Sequence, residues 1–120
     1  MMQDMMGIHA YNPATLLGKK TDLALTKDQV TKLDNLAAEV KTAKDHARQE
    51  HDVRHARVVA EFKLAKPDPA KVKADGQEAM NDMAAFHGVE LSAAARAKGL
   101  LTDAQRAKVE AKLSEHAAHH

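Results

Sequence analysis

From Val30 onward, apolar residues return at helical intervals: Val30, Leu33, Ala37, Val40, Ala47, Val58, Phe62 and Ala65, with Lys44, His51 and His55 at the intervening steps. Steps of three and four residues place all of these on one face of a helix. Neither Gly nor Pro interrupts Lys27 to Lys66, and good helix formers dominate the stretch, so the pattern predicts one long helix there. Its start is marked by Thr26 as cap, Gln29 reaching back to the cap amide, and Leu25 facing Val30 as a hydrophobic staple. Lys66-Pro67-Asp68-Pro69 ends it, because proline disfavours helical geometry in the residue before it. In the same four residues Asp68 can cap the next helix and Pro69 suits its first position. A second periodic run, Val72, Gly76, Ala79, Met83, Phe86 or His87, Glu90, Ala94 and Ala97, predicts a helix from Pro69 to about Lys98, with Gly99 as its C-terminal cap. A last helix opens at Leu101-Thr102-Asp103-Ala104-Gln105, with Arg106 where a staple would stand. Residues 1–22 read as an N-terminal arm with at most a short helical piece, 23–115 as the helical domain, and 116–120 as a histidine-rich tail.

Composition sharpens this outline. The chain has 120 residues, enough for one small domain. Twenty-four of them are alanine and only Tyr11, Phe62 and Phe86 are aromatic, so the core must be thin and a second chain is expected to complete it. The predicted fold is therefore all-α: an elongated antiparallel helical hairpin, about 60 Å along its first arm, with a short N-terminal arm and a C-terminal helix, assembling as a homodimer. Eighteen basic against 17 acidic side chains leave a formal charge of +1, which argues against nucleic acid as a partner. No apolar run approaches the roughly 18 residues of a membrane helix and the start lacks an apolar signal core, so the chain reads as soluble. Without cysteine it has no disulfide, thiol nucleophile or iron–sulfur ligand. Ser92 and Ser114 lie outside any nucleophile elbow, no glycine-rich phosphate loop occurs, and no Glu-x-x-His pair is present, so the chain is not expected to be an enzyme.

One phrase occurs twice: Leu25-Thr26-Lys27-Asp28-Gln29 and Leu101-Thr102-Asp103-Ala104-Gln105, both LTxxQ. Two such phrases flanking an uninterrupted charged hairpin resemble the Spy/CpxP family of bacterial periplasmic proteins, with the unbroken first arm most like the ZraP and CnrX heavy-metal-resistance branch. The resemblance implies a hairpin that dimerises into a cradle, is exported to the periplasm, and shields unfolded proteins without nucleotide. Its ZraP and CnrX branch implies an alternative role, binding or sensing heavy metals; a third possibility is a structural interaction module whose hairpin docks on a membrane-bound regulator. The His-x-x-x-Met of CnrX-like sensors is missing, since the corresponding positions are Ala93 and Ala97.

Two constellations carry candidate chemistry. Folding the chain at Pro67 pairs positions whose numbers add to about 135, which brings His51 and His55 toward Met83 and His87. Two i, i+4 pairs of imidazole and thioether would suit zinc, copper or nickel, although no cofactor is required for the chaperone role. The terminal His116, His119 and His120 form a second, tail-borne metal candidate. For client binding, Arg48, Arg54, Arg57 and Lys63 supply positive charge beside Val53, Val59 and Leu64. Charge speeds encounter with unfolded chains, and apolar contact holds them reversibly.

Overall fold

The computed structural model describes residues 7–118. Residues 7–10 are helical, and four helices follow: α1 (Pro13–Leu17), α2 (Lys27–Phe62), α3 (Pro69–Leu100) and α4 (Asp103–Ala118). No strand occurs among the described residues. The all-α hairpin predicted from the periodicity is thus present in its two long helices and the last one.

Local chemistry sets the helix ends. Asn12 caps α1 by accepting from the Ala14 N–H, with Pro13 in the first position. At the turn into α3, the Asp68 carboxylate accepts from the Ala70 N–H at 2.9 Å and the Asp68 carbonyl from the Val72 N–H, as expected for a cap ahead of Pro69. Two boundaries differ from expectation. Helix α2 stops at Phe62, four residues before Lys66, because the chain tightens into a turn in which the Lys63 N–H bonds to both Val59 and Ala60 carbonyls. Glu61 then reaches forward to accept from the Asp68 N–H at 2.9 Å, closing the connection over Pro67. Helix α3 runs through Gly99 to Leu100; no glycine among the described residues has positive φ, so Gly99 is an interior residue and not a cap. Arg106 does the capping, donating to the Lys98 and Leu101 carbonyls while pairing with Asp103.

The chain divides into two compact units, one formed by residues up to Val40 with those from Glu90 onward, the other by Lys41–Val89. Their interiors differ sharply. Ten of the eleven buried hydrophobic residues (Tyr11, Leu16, Leu23, Leu33, Leu36, Ala93, Ala94, Ala97, Leu101 and Val109) belong to the first unit. Complete burial of Leu16 and Leu33 contributes about 1.5–3 kcal/mol each. The arm is part of this core: Tyr11, Pro13 and Leu16 are buried, and Tyr11 donates to Glu110 on α4 at 2.6 Å. Lys98 stands over the Tyr11 ring at 4.9 Å. Asp22 pairs with Lys112 at 3.2 Å and its carbonyl accepts from Lys108, fixing the segment that leads into α2.

In the Lys41–Val89 unit the only buried hydrophobic residue is Ala47, whereas Val53, Val59, Phe62, Leu64, Met80, Met83 and Val89 are exposed. Ion pairs join its helices instead. Arg54 donates from Nε to Asp82 at 3.0 Å and from Nη1 to Glu78, and Arg57 lies 4.0 Å from Asp75. In the first unit Arg96 reaches Glu39 at 2.9 Å. All four contacts fall in the register expected from folding at Pro67. The face of α2 turned toward α3 in the second unit carries Arg54 and Glu61, not the His55 and Phe62 of the periodic walk, both of which are exposed. The walk selects by hydropathy. Arg54 is held inward by its acidic partners and Glu61 by the Asp68 amide.

Candidate functional site

The two LTxxQ phrases meet in the interior of the first unit. Each works as the capping box its letters predict: the Gln29 N–H donates to Thr26 Oγ1 at 3.1 Å while Gln29 Oε1 accepts from the Thr26 N–H at 2.9 Å. At the second phrase the corresponding distances between Thr102 and Gln105 are 3.2 and 2.9 Å. What no local pattern predicts is that the two glutamines also hold each other. Gln29 Nε2 donates to Gln105 Oε1 at 2.8 Å, and Gln105 Nε2 donates back to Gln29 Oε1 at 3.0 Å. Each amide's remaining N–H goes to the backbone just ahead of the other phrase, Gln29 to the Leu100 carbonyl and Gln105 to the Leu23 carbonyl, with Ala24 at 3.5 Å. Both side chains are buried, and no buried side-chain polar atom among the described residues lacks a partner. The approach to the first phrase is strained, since Ala24 holds φ 51, a left-handed conformation that alanine disfavours.

The comparison with protein-family models matches residues 17–113 to the LTXXQ motif family. The chain belongs to the LTXXQ motif family. In this chain the glutamine that ends each phrase has two roles, because its amide accepts from its own cap and donates across the interior at once. LTXXQ proteins are generally periplasmic, and no helix of the described residues is long and apolar enough to cross a membrane. Neither the curated proteins nor the solved structures give a match.

The predicted interhelical ligands His51, His55, Met83 and His87 and the predicted client residues all lie in the Lys41–Val89 unit. His51 and His55 stack one helical turn apart, rings 6.2 Å between centroids and 6° from parallel, and His51 Nδ1 is 3.8 Å from Asp52. His51 and Met83 line one open cavity of about 350 Å³, walled by Ala47 and Phe86 and edged by Lys44, Arg48 and Asp52. His55 and His87 are exposed and do not line it. Among the described residues no group of three or more His, Cys, Asp or Glu side chains is placed to hold a metal. The terminal candidates His116, His119 and His120 lie outside the described side chains.

Of the client-binding candidates, Val53, Val59 and Leu64 stand exposed at 49%, 41% and 55%, and Arg48 and Lys63 are exposed without an ion pair among the described residues. Arg54 is committed elsewhere. Its hydrogen bond to Asp82, reinforced by Glu78 and Glu50, raises its pKa further, and the guanidinium bridges the helices. The sequence signal for that role was Glu78 and Asp82, two carboxylates one helical turn apart at the register opposite Arg54. Phe62 and Met80, exposed at 62% and 69%, extend the apolar surface beyond the residues singled out from sequence.

Proposed function

We propose that this protein is a periplasmic, ATP-independent chaperone of the Spy/CpxP type, acting as a homodimer that shields unfolded clients under envelope stress. One observation carries the reading: seven of the nine exposed large hydrophobic side chains belong to the Lys41–Val89 unit, where almost none is buried. Exposed apolar side chains gathered in one unit are available to hold an unfolded client by apolar contact. Its cations at Arg48, Lys63 and Lys66 lack ion-pair partners among the described residues, so they are available to acidic stretches of a client. Family membership supports the same reading. Metal-free protein should suppress aggregation of a chemically unfolded client at near-stoichiometric ratios, measured by light scattering. Val59→Asp with Leu64→Asp should abolish that suppression, and an inert wild-type protein would refute the proposal.

A second reading is binding or sensing of zinc, copper or nickel, favoured by the stacked His51–His55 pair and by Met83 lining a cavity with His51. Calorimetric titration should then give a defined stoichiometry that is lost in a His51→Ala, His87→Ala variant. Binding that survives in that variant would assign the metal to the terminal histidines.

A further inference from the structure

Met80 and Met83 are the methionines among the described residues, and neither belongs to the core. Both sit on α3 in the Lys41–Val89 unit, three residues apart and exposed at 69% and 41%. Met80 is the most exposed large hydrophobic residue described. Accessible thioethers react with peroxides and hypohalous acids, and here both belong to the apolar surface assigned to clients. With hydrogen peroxide the sulfur lone pair attacks one peroxide oxygen, an S–O bond forms as the O–O bond breaks, and the departing hydroxide takes the remaining proton as water. Sulfur is oxidised by two electrons and the peroxide is reduced by two.

The surroundings of Met83 give that change a consequence. Its side chain shares a cavity with the apolar Ala47 and Phe86 and with three hydrogen-bond donors, Lys44, Arg48 and His51, against one acid, Asp52. Lys44 and Arg48 make no ion pair among the described residues. A thioether offers such donors almost nothing, whereas a sulfoxide oxygen is a strong acceptor. Oxidation therefore exchanges an apolar wall for a polar one that neighbouring cations can engage. Because the core contains neither sulfur, the fold has no reason to fail with it.

We infer that Met80 and Met83 form a reversible methionine-sulfoxide site that switches off the apolar client surface while leaving the fold intact; this rests on the chaperone reading above. The test exposes the full chain to hydrogen peroxide and maps the product by peptide mass spectrometry, expecting a gain of about 16 Da on each sulfur with unchanged helical circular dichroism. Roughly threefold more oxidised than untreated protein should be needed for equal suppression of aggregation, and methionine sulfoxide reductase should restore the original activity. A Met80→Leu, Met83→Leu variant, measured against its own untreated form, should lose no suppression on exposure to the oxidant, since leucine has no sulfur to oxidise. The inference falls if Met80 and Met83 stay reduced while Met1, Met2, Met5 and Met6 oxidise, if doubly oxidised protein keeps full activity, or if the leucine variant is inactivated like the parent. Should untreated protein suppress nothing, the chaperone reading fails separately. The switch is then judged by an apolar-surface dye: lower dye fluorescence after oxidation in the parent alone sustains it, and equal fluorescence overturns it.

Discussion

Gln29 and Gln105, seventy-six positions apart, exchange a reciprocal pair of amide hydrogen bonds while each also closes its own helix cap. Each glutamine thus joins the start of one helix to the approach to the other. Replacing either by Ala should cost about 2–3 kcal/mol, because the surviving amide is left buried with donors unmet and one cap is opened. A Gln29→Leu, Gln105→Leu double variant should lose less than the two single leucine variants together, a coupling of about 1–2 kcal/mol in urea denaturation. Strict additivity would show that the amides act independently.

Tyr11 is the only tyrosine in the chain, so its ionisation can be followed by ultraviolet absorbance without interference. Burial, and then its hydrogen bond to Glu110, push its pKa up to about 12 from the usual 10. The raised value means that the folded state favours the neutral phenol. The associated stability is complete below pH 10 and is lost as pH rises through about 12. Wild type should therefore destabilise more steeply than Tyr11→Phe across that interval, and a tyrosinate titration centred at the ordinary value in folded protein would contradict the burial.

Arg54 holds α2 and α3 together where apolar burial is slight. Arg54→Ala should raise amide hydrogen exchange throughout Lys41–Val89 while residues around Leu33 and Ala97 keep their protection. Raising the salt concentration should reproduce part of the effect in wild type, since these pairs are reached by solvent.

The backbone offers two changes of opposite chemistry, both stabilising. A Cβ added at Gly76 or Gly88 meets no atom within 4 Å, so Gly→Ala at each should add about 0.5–1 kcal/mol in thermal unfolding. Ala24→Gly should also stabilise, by up to about 1 kcal/mol, by relieving φ 51. Destabilisation by Ala24→Gly would show that the turn tolerates its left-handed residue without strain.

The helices, the Pro67 turn and both capping boxes were legible in the chain because each depends on residues within a few positions of one another. Thr26 needs only Gln29, and Asp68 only the amides that follow Pro69. The hairpin register was legible too, since a short turn between long helices leaves little freedom. The candidate site was legible in part. Helical spacing placed His51 near Met83, but a hydropathy walk favoured His55 and Phe62 over Arg54 and Glu61, whose inward position depends on partners elsewhere in the chain.

By itself, then, the sequence determined where helices begin and turn, and that large apolar side chains are few. Only the tertiary structure decided how those few are shared out: Leu16, Leu33 and Leu101 are buried in the unit that holds the paired glutamines, and Val59, Phe62 and Met80 are left facing water. Capping is fixed by neighbours along the chain, whereas burial and the pairing of two distant amides are fixed by which surfaces meet in space, and no local pattern of residues encodes that choice.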